Sequence, residues 1–349
     1  MSPGIWLLAG ATFAAAALLT AAVRHIAIRR GVLDVPNARS SHVTATPRGG
    51  GLAIVLSASA ALLCLAFAGA LPLRLAVVLV GGGGAVAAVG FADDHRPVAA
   101  GVRLAVHLLA AVWAVAWLGG FPEIALGPQT LYLGWIGNVV AVLGVMWVLN
   151  LFNFMDGIDG IAASEAVFVT GAVLPAMSVL GIPAAIGAAS LIVGAAALGF
   201  LVWNWPPARI FMGDIGSGYV GYAIAALALA CGGHNPTAVW VWLILGGVFF
   251  VDATVTLGRR LLRGERAHEA HRSHAYQWLA RRWGSHGKVT LAVLVVNLVW
   301  LLPGALLAAR FPGYAAVLVI VVLAPLAVLA VVIGSGREEG NTLRKINPT

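Results

Sequence analysis

Charge is what this chain has least of. Lys, Arg, Asp and Glu make up 10% of its 349 residues, where a soluble domain carries about 25%. Together with a hydrophobic content of 61%, that scarcity excludes a water-soluble globular protein. Cysteine is nearly absent too. Cys64 and Cys231 lie far apart, each inside an apolar run, so neither a disulfide framework nor a cysteine metal site is expected. The 13 acidic residues are outnumbered by 21 Lys and Arg, for a net charge of +8. No nucleic-acid partner follows from that excess, because the basic residues sit in short interruptions between apolar runs, where membrane topology explains them.

What is abundant is apolar sequence. Runs occur at about 4–23, 50–70, 73–91, 103–119, 133–150, 161–181, 183–203, 216–232, 236–257, 289–309 and 313–334, and a spanning helix needs roughly 20 such residues. The expected fold is all-α, a polytopic integral membrane bundle of about eleven transmembrane helices. It forms a single domain over 1–349, ending in a short cytoplasmic tail at 335–349. No basic residue precedes the first run, and Arg24, Arg29 and Arg30 follow it. That is the reverse of a cleavable signal peptide and predicts a retained helix with its amino end outside. Alternating the helices from there puts every Lys and Arg except Arg74 and Arg310 on the cytoplasmic side, the carboxyl terminus included. Gly81 to Gly84 lie within an apolar run, where small residues let helices approach closely.

The carboxylates gather at that same face. Asp93 and Asp94 follow the third run, Asp156 and Asp159 the fifth, and Asp214 precedes the eighth. Charges beside hydrocarbon are costly unless paired or wet, and mutual repulsion raises some of their pKa values unless a cation or basic residues sit among them, from which a divalent metal is inferred. An oxygen-only set favours magnesium, with manganese second, where substrate phosphates complete the shell. In NLFNFMDGIDGIA, residues 150–162, glycines free the backbone beside each aspartate, and Asn150 and Asn153 add neutral hydrogen-bonding groups. The plainer role for Asp159 is to cap the next helix.

In NWPPARIFMGDIGSG, residues 204–218, the prolines stop one helix and Asp214 opens another. Phe211 suits stacking on a planar base or anchoring at the membrane interface. RSSHVTATPRGGG, residues 39–51, offers His42, Arg48, hydroxyls and glycines to phosphate oxygens. The long loop at 258–288 holds eight basic residues and an amphipathic stretch suited to the membrane surface. His268, His271 and His274 recur there every three residues, with Arg272 among them. Arg272 and His274 suit a diphosphate better than a zinc ion. Asp252 lies inside the ninth run, a functional carboxylate by default or an inward-packed support for the site.

Taken in order, SSH…PRGGG, GFADDHRP, NLFNFMDGIDG, NWPPARIFMGDIGS and the histidine loop resemble the polyprenyl-phosphate N-acetylhexosamine-1-phosphate transferases, from about residue 30 to 290. That family includes phospho-muramoyl-pentapeptide transferase and the enzymes that initiate O-antigen and enterobacterial common antigen. The resemblance implies transfer of a sugar 1-phosphate from a UDP-sugar to undecaprenyl phosphate, with release of UMP and magnesium as cofactor. It also implies a multi-pass protein of the bacterial inner membrane with its active site at the cytoplasmic face, and it allows a homodimer.

Carried onto this chain, Asp214 resembles the metal ligand, joined by Asp156, the active-site loop aspartate. Asp93 and Asp94 resemble the pair that engages or deprotonates the lipid phosphate, by direct attack or through a covalent intermediate. Asn204, Phe211 and Asp159 match positions that bind uridine, and His274 matches the first histidine of the histidine motif, counted with the catalytic set. Asn153, Arg272, Arg48 and His42 complete the implied substrate contacts. His95, Arg96 and Pro97 follow the aspartate pair without a lysine, and HRSHAYQ lacks clustered histidines. Both departures favour the branch that starts surface polysaccharides such as O-antigen of lipopolysaccharide. A cation- or proton-coupled transporter is the rival from another class, and it requires carboxylates near the bilayer midplane beside broken helices.

Overall fold

A computed structural model describes residues 1–36, 44–127, 129–265 and 271–337. His42, His268 and residues 338–349 of the expected tail lie outside them. Each of the eleven apolar runs falls on helix. The bundle is built from α1 (Pro3–Arg30), α2 (Gly51–Phe67), α3 (Leu73–Ala76) continued through a π-turn into α4 (Gly83–His95), α5 (Ala100–Leu118) and α6 (Trp135–Met155). It continues with α7 (Ile161–Val179), α8 (Ala184–Asn204), α9 (Asp214–Gly232), α10 (Thr237–Leu245) and α11 (Gly247–Leu262). The surface helix α12 (Ala275–Trp283) precedes α13 (His286–Val296), α14 (Leu302–Arg310) and α15 (Ala315–Ile333).

Among the described residues, nine helices are long and apolar enough to cross a membrane, and the α10–α11 pair, bent by 78°, makes a tenth. The second run forms a helix of 17 residues, about 25 Å at 1.5 Å per residue and so a little short of the hydrocarbon thickness. Two small antiparallel pairs add the only strands among the described residues. β1 (Leu33–Asp34) pairs with β2 (Thr46–Pro47), and β3 (Glu123–Leu126) with β4 (Gln129–Tyr132).

The most enclosed element is α9, 94% of whose apolar window is buried, against 17% for α5 and α15 at the periphery. Helices α2, α4, α6, α8 and α10 surround it. Close approach is built from small residues, as expected for helices that gain little from burying apolar surface already in lipid. A Cβ on Gly82 would strike the Tyr222 hydroxyl at 2.0 Å, and one on Gly83 the Tyr219 ring at 2.8 Å. The expectation for the 81–84 glycines therefore holds at these two. Asp214 is the first residue of α9, so the acidic loops converge where the best-packed helix meets the polar face.

Candidate active site

Asp93 and Asp94 end α4, and the loop before α9 folds back onto them. The Asp94 carboxylate accepts hydrogen bonds from the backbone N–H groups of Asp214 at 3.0 Å and Ile215 at 3.2 Å. Those are orphan donors at the start of α9, so Asp94 caps that helix from another element, and the charge complements the helix dipole. Gly213 lets the loop turn with φ at 75°, and a Cβ there would lie 2.4 Å from an Asp94 oxygen. Asp214 therefore does not serve as a cap itself, and its carboxylate is left for other work.

Two arginines strap the acidic groups. Arg48 Nη2 lies 2.8 Å from Asp94 and 3.2 Å from Asp214. Arg103 Nη1, one turn into α5, lies 2.6 Å from Asp93 and 3.5 Å from Asp214. Burial works against the Arg48 charge, yet Asp94, Asp214, Asp34 and Asp156 together hold its pKa above the ordinary value. Asp156 ends α6 within electrostatic reach of the cluster. Burial pushes its carboxyl well above the usual range, Asp214 adds to that, and Arg48 opposes it. Among the described residues no three carboxylates or histidines form a ready-made cage for a cation. Magnesium requires less, since one or two carboxylates suffice when phosphates fill the remaining positions. Two arginines against four carboxylates leave the cluster short of positive charge, and Asp214 and Asp156, offering only oxygen, fit that donor set.

A cavity of about 640 Å³ opens beside the cluster, with Asp159, Pro206, Phe211, Arg272, Gln277 and His286 in its wall. Asp159 accepts from the Ala208 N–H at 3.0 Å and pairs with His286 Nδ1 at 3.1 Å. Its side chain therefore does not cap α7, whose entry is made by Gly160 at φ 75°. The Phe211 backbone pairs with the first loop, its N–H donating to Pro47 at 2.8 Å and its carbonyl accepting from Gly50 at 2.9 Å. That pairing brings Thr44 and Thr46 into the same wall.

A second chamber, a groove of about 650 Å³, has Arg103, His107, Asn150, Asn153 and Asp214 among apolar residues such as Leu104 and Trp147. The two chambers meet along the chain twice. Asn153 lines the groove and Asp159 the cavity, with Asp156 midway; Asp214 lines the groove and Phe211 the cavity, three residues apart.

The structure separates other residues that the sequence grouped with these. Asn204 is 2% exposed and lines neither chamber. Its Oδ1 accepts from the Gly160 N–H at 3.0 Å, and its Nδ2 donates to the Ile210 carbonyl at 2.9 Å. It thus latches the two rich loops together. His274 is buried at the start of α12, its ring stacked on Tyr276 at 5.6 Å. Its Nδ1 lies 3.6 Å from Asp252, beyond a hydrogen bond, and it lines neither chamber.

Asp252 proves to be the inward-packed support. It accepts from the N–H groups of Ala275 at 2.8 Å and Tyr276 at 3.1 Å, capping α12 as Asp94 caps α9. Tyr276 in turn donates to the Phe154 carbonyl at 3.0 Å, which fixes α12 against the Asp156 loop. For His271, burial first, then His274 and Arg260, pull the pKa down to about 4. Two site residues escaped the sequence reading. Arg103 counted there only towards orientation, although its place one turn into the helix after the aspartate pair was the available signal. His286 had none, because its partner Asp159 is 127 residues away.

A family model described as glycosyl transferase family 4 matches residues 76–232. The chain is 28% identical over 287 residues to a probable undecaprenyl-phosphate N-acetylglucosaminyl 1-phosphate transferase of Bacillus subtilis, covering 81% of this chain and 79% of that one. It is 28% identical to the decaprenyl-phosphate N-acetylglucosaminephosphotransferase of Mycobacterium tuberculosis, covering 78% and 75%. A phospho-N-acetylmuramoyl-pentapeptide-transferase of Moorella thermoacetica is 32% identical over 242 residues, covering 62% of this chain and 73% of its own.

Proposed function

Because the chain belongs to glycosyl transferase family 4, we propose that it is a multi-pass membrane transferase that moves a sugar 1-phosphate onto a polyprenyl phosphate. The donor on this reading is a UDP-N-acetylhexosamine, the acceptor is undecaprenyl phosphate, and the products are UMP and a lipid-linked diphosphosugar that starts a surface polysaccharide. The site faces the cytoplasm at the bacterial inner membrane.

One observation supports it above the others: Asp214 of the acidic cluster lines the apolar-walled groove, and the cavity's Phe211 and Asp159 stand three residues along the chain from Asp214 and Asp156. The cavity suits the water-soluble donor, with Phe211 against the base and Arg272 near the diphosphate. The groove suits the lipid, its phosphate drawn to Arg103 and its chain along Leu104 and Trp147. An oxygen of the acceptor phosphate attacks the sugar-bearing phosphorus, the bridging bond breaks, and UMP departs. Magnesium, held by Asp214 and Asp156 together with substrate phosphates, supplies charge neutralisation. Arg48 and Arg103 keep the neighbouring carboxylates in place and offset charge on the transferring group.

The experiment is UMP release by the purified protein from a panel of UDP-N-acetylhexosamines, with and without undecaprenyl phosphate and magnesium. Release that requires both is expected. No release with any donor sinks the reading, and a transporter, for which the bend between α10 and α11 would be the working part, becomes the better account.

A further inference from the structure

Asp252 receives more than the two backbone bonds that cap α12. The Thr256 hydroxyl, on the same helix as the carboxylate, donates to its Oδ1 at 3.2 Å, and the Ser335 hydroxyl donates to that oxygen at 2.9 Å. Ser335 comes from just beyond α15, 83 residues along the chain. By sequence it opens a cytoplasmic tail, yet it is fully buried. Two further hydrogen bonds seat the turn around it. The Ser335 carbonyl accepts from Arg259 Nη1 at 2.7 Å, and the Gly336 N–H donates to the Ser273 carbonyl at 2.6 Å. Gly334 at φ 123° and Gly336 at φ 72° make the turn possible. A Cβ on Gly336 would also lie 2.9 Å from the Arg259 Cβ.

The segment gripped in this way begins α12. Gln277, Ala280 and Arg281 of that helix line the cavity, and Tyr276 bonds to the Phe154 carbonyl at 3.0 Å. A Cβ on Gly157 would collide with the Tyr276 hydroxyl, so the helix lies directly against the residue that follows Asp156. With nine residues, α12 is too short to keep its place by its own helical bonds. Its position is set by what holds its first turn. Asp252 does so from α11, and the turn after α15 does so through Ser273 and through Asp252 itself.

Resting on the reading of the cavity as the donor site, we propose that Ser335 is a positioning residue for transfer, its turn clasping Asp252 and Ser273 so that α12 holds the donor in register with the Asp156 loop. The clasp serves one substrate only. Asp252, Ser273 and Ser335 all lie outside the groove wall, which meets α11 at Leu257. Loosening the clasp therefore disturbs the donor and spares the lipid.

The test compares Ser335→Ala and Thr256→Val with the wild type in lipid-dependent UMP release, titrating each substrate separately. Both variants delete a hydroxyl bond to the same Asp252 oxygen, but only the first loosens the turn. Ser335→Ala is expected to raise KM for the UDP-sugar about fivefold, the size of one ordinary hydrogen bond, with KM for undecaprenyl phosphate within about twofold of wild type. Thr256→Val should leave both constants within about twofold, because its bond joins two residues of one helix. An unchanged donor KM in Ser335→Ala overturns the proposal. So does an equal rise in Thr256→Val, which would make Ser335 one more bond to a buried charge. If Ser335→Ala does not fold, amide exchange in the wild type decides: bound UDP-sugar should slow exchange over 273–277 and at Gly336 together. Slowing confined to α12 overturns the clasp. A wild type that releases no UMP from any UDP-sugar overturns the donor reading itself, and the role of Ser335 with it.

Discussion

Asp94 caps the helix that Asp214 begins: one carboxylate holds the backbone from which the other projects. The two aspartates therefore fail differently. Asp94→Asn removes a charge-assisted acceptor from two N–H groups and from Arg48, and should cost about 1.5–3 kcal/mol of stability as well as turnover. Asp214→Asn relieves a crowded acidic cluster, so it should abolish transfer with no loss of thermal stability. Thermal unfolding in detergent beside UMP release separates them; equal destabilisation would contradict the assignment of Asp94 as the cap.

Arg48 and Arg103 already hold Asp93, Asp94 and Asp214 in ion pairs. Chelating the metal should therefore stop transfer while leaving the unfolding temperature nearly unchanged, unlike a structural site whose binding energy is folding energy. A large fall in unfolding temperature on chelation would show that the arginines do not suffice.

Phe211→Ala keeps the backbone pairing with Pro47 and Gly50 and removes only the ring from the cavity. Loss of a stacked base is worth about 1–3 kcal/mol, so KM for the UDP-sugar should rise about tenfold while KM for the lipid stays put. An unchanged donor KM would assign the ring to the membrane interface instead.

Asn204→Ala breaks both bonds of the latch. Each side-chain partner leaves a buried backbone group unpaired, at about 1–3 kcal/mol. The variant should lose thermal stability and turnover together. A raised donor KM at full stability would mean that Asn204 touches the nucleotide, as the family resemblance implied.

His271 provides a pH test. Its folded pKa, about 4, lies below the ordinary 6.5, so the unfolded chain binds the proton first as pH falls. Stability associated with this group is complete above about 6.5 and is lost progressively towards 4. His271→Asn should flatten the stability profile over that window, and a profile of unaltered slope would remove the group from consideration.

The bundle and the acidic face were legible in sequence because both are local signals. Apolar runs marked the helices, and glycine beside aspartate marked the loops at Asp156, Asp159 and Asp214. Roles that depend on distant partners were not legible. Asn204 reads as a ligand in its own loop and becomes a latch only because Gly160 arrives from 44 residues away. Asp252 reads as an intramembrane charge until α12 sets two N–H groups against it. The bend at Gly246 left no trace, since α10 and α11 form one apolar run.

The two chambers are walled by different segments. The cavity draws on the first loop, Asp159, the loop before α9 and the region from Arg272 to Gly287, and the groove on α4, α5 and α6, with α9 and α11 touching it. Thr44, Thr46, Gln277 and Ser285 can thus vary without disturbing Arg103, His107 or the acidic cluster. On the proposed reading, such an arrangement would let the sugar site change without altering the lipid site. Chimeras that exchange the cavity segments between relatives should accordingly exchange sugar preference and keep the carrier.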